Sequence, residues 1–337
     1  MRILVLLVAV GLAVSAFELT PRVTSVNVKS TGSDAELHGA VIADLQRGQT
    51  FHDAFAVELR RLYYPVRSIF NWREPLLSWT LAFVPHGDWI AYVLGALLLS
   101  SAWFVQRRWW TLALLLPTFL PIGTTANVFP ELWAGMLLGL SAVAYIGGRP
   151  LPGVVCAILA LAVRELAAPY CVALTLRAAW RRDWREVSAW MIGLLLYVPY
   201  YGWHLWKALA HMQPDDPAIP HSWVAFGGLP FLFRILQFTS PLFMASSVVF
   251  ACAMACAAVA WADNVPRSLG VGLLIYVPFF LIVGQPFNVY WGFMIAPLFA
   301  LWLSYVPDGV AALLARRPSP EPPVGRAANL PQQRDLA

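Results

Sequence analysis

The stretch LPGVVCAILALAVRELAAPYCVALTL, residues 151–176, consists of two apolar runs, 151–163 and 166–176, with Arg164-Glu165 between them. It reads either as one continuous helix with an ion pair buried at its centre or as two short helices joined by a charged turn. The surrounding arginines decide. Two helices put Arg177, Arg181, Arg182 and Arg185 on the same side as Arg107, Arg108, Arg149, Arg267, Arg316 and Arg317, the cytoplasmic side by the positive-inside rule. One helix would carry that four-arginine loop to the other side. A helix over 151–163 rises about 20 Å, against a hydrocarbon layer of about 30 Å. The Arg164-Glu165 turn is therefore expected below the outer membrane surface, at the floor of a cavity. An ionisable pair at that depth is costly and reads by default as functional; the plain alternative is an Arg–Glu staple between neighbouring helices.

Composition supports the membrane setting. The chain has 337 residues, 59% hydrophobic and 12% charged, with a formal net charge of +5. A soluble domain carries roughly 25% charged residues, so a water-soluble globule is excluded, and the lipid bilayer is the first partner. Working outward from 151–176, spans are expected near 88–105, 109–121, 131–146, 187–205, 241–262, 268–283 and 289–306. With the first apolar run at 3–14, this gives an all-α polytopic membrane protein of about ten helices, both termini cytoplasmic. Residues 1–17 fit a cleaved signal peptide, ending at Ala13-Val14-Ser15-Ala16, and a retained first helix equally well. Either sends 18–87 to the outside. Residues 88–316 form the bundle, and the Pro- and Arg-rich 317–337 reads as a disordered cytoplasmic tail. Trp89, Trp103, Trp180 and Trp203 fall near span ends, as an aromatic belt does. Cys156, Cys171, Cys252 and Cys256 all lie in apolar runs and read as packing residues. No Cys/His spacing marks a metal site, and the scattered basic residues do not form a nucleic-acid surface.

The outer loop 18–87 carries as many acidic as basic residues. Two amphipathic helices are readable in it, expected along the membrane surface. One starts near Ser33 and stops at Gly48, with Leu37, Val41, Ile42 and Leu45 on one face. The other starts near Asp53, with Phe51, Phe55, Leu59 and Leu62 on one face. Residues 76–84 are apolar but too short to span and read as interfacial or re-entrant. Ser33-Asp34-Ala35-Glu36 fits a capping box in which Ser33 caps the helix and Glu36 reaches back to it. On residue chemistry alone that is the stronger reading of the two carboxylates. His38 lies one turn after Asp34, where a lone His is more often plain polar surface than a base.

Taken together, the first span, the long outer loop and three loose motifs resemble the GT-C superfamily of integral-membrane glycosyltransferases. Ser33-Asp34-Ala35-Glu36-Leu37-His38 followed by Leu45-Gln46-Arg47-Gly48 resembles its Asp, helix and Gly-turn entry. Asn71-Trp72-Arg73-Glu74-Pro75-Leu76 resembles its approach to the second span, and Ala162-Val163-Arg164-Glu165-Leu166 its Arg-Glu turn. The resemblance implies a polyprenyl-phosphate-linked sugar as donor, an acceptor not specified by the sequence, and a bacterial plasma membrane. It implies Asp34 as the catalytic carboxylate, with Glu36 as its acidic partner in place of an adjacent pair. Arg73 and Arg164, and more weakly Arg234, would bind the donor phosphate, with Glu165 and His38 in support. A divalent metal is compatible with this scheme but not required by it.

Two other classes fit the same residues. A lipid or small-solute transporter or flippase would use Arg164-Glu165, Glu131 and His204 as pathway groups, although no internal repeat is found and Glu131 also suits a helix N-terminus. A non-catalytic assembly partner is the third.

Overall fold

The computed structural model describes residues 33–218, 223–224, 226–238, 265–285 and 287–314. The first apolar run at 3–14, the start of the outer loop, the span expected over 241–262 and the tail 317–337 lie outside the described residues. The described residues are helical, with one isolated bridge between Val224 and Val283.

The outer segment opens with α1 (Asp34–Gln46), α2 (Phe51–Arg61) and α3 (Pro75–Phe83). Ser33 caps α1 by accepting from the Glu36 amide, and Thr50 caps α2 by accepting from the Asp53 amide. Each satisfies an amide that has no partner within its helix. The capping box is only half made: the Glu36 carboxylate accepts from Arg61 at 3.2 Å instead of returning to Ser33. Pro75 supplies the first residue of α3, a position where its missing N–H costs nothing.

The bundle continues with α4 (Trp89–Gln106), α5 (Trp109–Leu115), α6 (Pro130–Ile146), α7 (Pro150–Val163), α8 (Ala168–Trp180) and α9 (Trp184–His211). After these come α10 (Gly228–Phe238), α11 (Arg267–Leu274), α12 (Tyr276–Ile282), α13 (Gly292–Leu303) and α14 (Val306–Leu314). Short 3-10 turns at Glu165–Ala167 and Asn288–Trp291 precede α8 and α13.

Residues 151–176 form two helices. Arg164 leaves α7 with extended backbone, φ −155° and ψ 116°, and α8 returns antiparallel, Cys171 Sγ lying 3.6 Å from the Ala157 carbonyl that accepts from it. α9 then runs parallel to α7. A Cβ on Gly193 would meet Ile158, and Tyr200 donates to the Ala162 carbonyl. At its base, Tyr145 donates to Glu186 at 2.7 Å, with Arg177 3.9 Å away.

These contacts collect one set of chain reversals at one end of the bundle. α4 and α6 run parallel, Gly139 against Leu98 and Gly147 against Val105. Arg108, following α4, is bonded to Asp308 at 2.6 Å beyond α13. α11 runs antiparallel to α8, Gly272 facing Tyr170 and Tyr276 donating to the Leu166 carbonyl. Arg107, Arg108, Arg149, Arg177, Arg181, Arg182, Arg185 and Arg267 therefore share an end, and Arg164 stands opposite. α6 and α13 touch closely because Gly135 has no Cβ, which would overlap the Phe293 carbonyl.

α4, at 18 residues, is the one described helix long and apolar enough to cross a bilayer by length and composition. α9 has 28 residues, longer than the expected 187–205, with Pro199 inside it. Large apolar side chains point outward along several helices, among them Phe104 on α4, Leu176 on α8 and Leu195 and Leu196 on α9.

One expectation is corrected. The apolar faces of α1 and α2 do not lie open along a membrane surface. Leu37, Val41 and Leu45 pack against Phe51, Phe55 and Leu59, together with Trp72 and Ala208 of α9, in a separate small core. Arg60 ties this unit to the end of α9, donating to both Asp216 carboxylate oxygens at 2.7 and 2.8 Å and to the His211 carbonyl at 2.8 Å.

Candidate functional site

The first turn of α1, the 70–74 segment, the α7–α8 turn and the start of α13 meet at the end of the bundle opposite the arginines. Asp34 is half-buried and accepts from the Tyr64 hydroxyl at 2.6 Å. Burial pushes its carboxyl up, but the Arg73 guanidinium, then hydrogen bonds from Tyr64 and Tyr290, hold it below the usual carboxylate range. Asp34 is thus an ionised acceptor in a cationic setting.

Arg73 is buried and donates to the Phe70 carbonyl and to the Tyr290 hydroxyl, the latter at 3.2 Å. Among the described residues no carboxylate lies within ion-pair distance of it. Its charge is compensated only at longer range, so an arriving anion would find it unclaimed. His38 is buried beside this group, edge-on to Phe55 at 6.1 Å. Burial, then Arg73, lower it to about 3, against the opposing pull of Asp34, so it is a neutral ring at physiological pH.

Arg164 is held differently. Its Nε donates to Glu131 Oε1 at 2.8 Å, a second nitrogen donates to Glu165, and both Arg164 and Glu131 are 1% exposed. The guanidinium lies 6.0 Å from the Trp291 ring centroid. Arg164 and Glu165 head a cavity of about 710 Å³ whose other walls are apolar, including Phe70, Val172, Phe279, Ile282 and Trp291.

Glu74 follows Arg73 into the interior. Its Oε1 accepts from Tyr197 at 2.7 Å, while its Oε2 and Glu165 Oε2 are buried with no partner. Burial, then the Glu165 carboxylate, push Glu74 well above the usual range, favouring the neutral acid.

Of the residues expected from sequence, Asp34, His38, Arg73, Arg164 and Glu165 are gathered at this end. Glu36 is not: it is half-exposed and bonded to Arg61 on the outer face. Arg234 lies half-buried on α10 and does not line the cavity headed by Arg164. Tyr64, Tyr290 and Glu74 were missed. Glu74 stood inside a quoted motif, but Tyr290 lies 217 positions from Arg73, and no local pattern joins the two. Among the described residues no group of three or more His, Cys, Asp or Glu could hold a metal ion.

No protein-family model matches this chain, and neither a curated protein nor a solved structure does.

Proposed function

We propose that the chain is a multi-pass membrane protein of about ten spans that transfers a sugar from a polyprenyl-phosphate carrier to an acceptor hydroxyl on the extracytoplasmic side. Support for the membrane setting comes from the outward-facing apolar side chains of α4, α8 and α9, costly in water, and from the arginines gathered at one end.

The enzyme reading rests on one observation: Asp34, bonded to Tyr64, and a buried Arg73 without a paired carboxylate meet at Tyr290, next to a wall of the large apolar cavity. Phe70, whose carbonyl accepts from Arg73, and Trp291, next to Tyr290 in the chain, both line that cavity. An isoprenoid chain fits its walls, and a phosphate at its head would meet Arg73 and the Arg164 turn. In the transfer, Asp34 takes the acceptor's O–H proton while that oxygen bonds to the anomeric carbon. The bond from that carbon to the phosphate oxygen breaks, its electron pair leaves with the carrier phosphate, and Arg73 offsets the charge. Inversion at the anomeric carbon follows from single displacement.

Transport through Arg164, Glu131 and His204 has less support, since Arg164 and Glu131 are bonded to each other and His204 is bonded to His52 and the Trp72 carbonyl. The test is transfer from labelled polyprenyl-phosphate sugars in reconstituted membranes, wild type against Asp34→Asn. The reading expects sugar transfer by wild type and its loss in the variant with folding intact. Equal transfer by both removes Asp34 from the mechanism. Absence of transfer in wild type, with a stable co-purifying protein, favours the assembly-partner class.

A further inference from the structure

A second cavity lies between the α1–α2 turn, α3 and the last turns of α9. It measures about 570 Å³, within the range of about 300–1,000 Å³ typical of small-molecule sites. Its aromatic lining is Trp79, Phe83 and Trp203 over the buried Phe51, with the rings of His52 and His211. Trp79 and Trp203 are in tilted contact, 5.7 Å apart at 39°, and Trp203 remains 36% exposed. The polar groups lining the cavity include Gln49, Asp53, Lys207 and His211. Asp53 is fixed in place: Oδ2 accepts from Thr50 at 2.5 Å and Oδ1 lies 3.0 Å from His211 Nε2. Lys207 Nζ sits 4.9 Å from the Trp206 ring centroid.

We propose that this cavity binds a neutral saccharide. A sugar ring has apolar C–H faces and a rim of hydroxyls that both donate and accept. Exposed indole faces suit the first, and an amide, a carboxylate and an ammonium at the edge suit the second. Charge selects against the other ligands an aromatic pocket commonly takes. A quaternary ammonium needs aromatic faces without a competing cation, and Lys207 lines this cavity. An anion meets Asp53. The two opposite charges leave a site balanced for a neutral, hydroxyl-rich ligand.

The cavity is also coupled to the segment carrying Arg73. His52 Nε2 lies 3.1 Å from His204 Nδ1, and His204 Nε2 lies 3.1 Å from the Trp72 carbonyl. The ring of His52 stacks over Trp72 at 6.4 Å. Resting on the glycosyltransferase reading, the bound saccharide is a part of the acceptor away from its reacting hydroxyl. Binding remote from the chemistry is how a large acceptor is oriented.

The experiment is titration calorimetry on the full chain in sugar-free lipid nanodiscs lacking choline lipids. The probes are neutral hexasaccharides of glucose, mannose, galactose and arabinose, with tetramethylammonium and phosphocholine as comparisons. At least one hexasaccharide is expected to bind. Trp203→Ala should weaken it about tenfold or more, the scale of a lost aromatic stacking face, and Trp203→Phe should restore most of it. Asp53→Asn should weaken it less. No hexasaccharide binding to wild type overturns the proposal, as does binding unchanged in Trp203→Ala, or phosphocholine binding that Trp203→Ala abolishes. Saccharide binding without transfer to any acceptor would leave the site standing and remove the enzyme reading. Transfer without such binding would do the reverse.

Discussion

Arg164 Nε donates to Glu131 Oε1 at 2.8 Å, with both side chains 1% exposed. This bond joins the first turn of α6 to the tip of the α7–α8 hairpin, so it holds the cavity's charged end in register. Removing Glu131 leaves the buried Arg164 with Glu165 as its one remaining carboxylate, a loss below the roughly 3–5 kcal/mol of a fully uncompensated buried charge but above that of an exposed pair. Glu131→Ala is therefore expected to lower the unfolding midpoint far more than Glu36→Ala, whose partner Arg61 is half-exposed. Comparing thermal unfolding of the two variants in the same nanodiscs checks this; equal midpoints would contradict it.

Asp34 is held ionised partly by Tyr64. If Asp34 is the general base, activity is present above its folded pKa and falls as pH drops through it. Tyr64→Phe removes a hydrogen bond that favours the charged form, so the carboxyl protonates at higher pH. The acid limb of the pH–rate profile should move upward in Tyr64→Phe, while Asp34→Asn should lose about 10²-fold or more on the plateau above that limb and lose the limb itself. A limb that stays in place would disconnect Tyr64 from the base.

Arg73 makes no ion pair with the described carboxylates, and Arg164 makes two. Donor binding should depend on the first more than on the second. Arg73→Lys keeps the charge but loses the planar fork, and is expected to raise the donor KM about tenfold or more, as the loss of a bidentate phosphate contact does. Measured donor KM values for Arg73→Lys and wild type decide this, and unchanged values would move the phosphate elsewhere.

His38 is buried as the neutral ring, lowered to about 3 from 6.5. The unfolded chain binds that proton first, so stability falls as pH drops from about 6.5 towards 3. His38→Gln removes the titration and should make the pH slope shallower by about one proton over that window. Glu74 titrates in both proteins, so it cancels in the difference. The check is unfolding free energy against pH for wild type and variant, and parallel curves would refute it.

Glu74 is pushed towards its neutral acid by burial and by Glu165. An amide mimics that form and keeps an oxygen for Tyr197. Glu74→Gln should leave the unfolding free energy within about 0.5 kcal/mol of wild type. A large loss would mean that the ionised carboxylate is the working form.

Local chemistry made much of the helical plan legible. Ser33 and Thr50 cap where oxygen-bearing side chains should, Gly48 turns the chain after α1 with φ +92°, and Arg164-Glu165 marks the break in 151–176 because charge and span length conflict there. What covers an amphipathic face is not written in its period. The faces of α1 and α2 were open to two solutions, lipid or each other, and the stapling of Arg60 to Asp216, 156 positions away, belongs to the second. The candidate site shows the same limit. Asp34 and Arg73 could be singled out within their own motifs, but Tyr64 and Tyr290 act on them through space, at separations where sequence carries no periodic trace.

The α7–α8 hairpin stops short of the helix beside it. α7 is 14 residues long, a rise of about 21 Å, whereas α9 beside it has 28 residues and stands about 42 Å tall. The tip of the hairpin, carrying Arg164 and Glu165, therefore forms a charged ledge partway along the taller helix, at the head of the apolar cavity. Under the proposed transfer, spent carrier and fresh donor would meet that same ledge. On that reading the emptied carrier phosphate, which keeps the charge the ledge would hold, is the expected competitor of the donor.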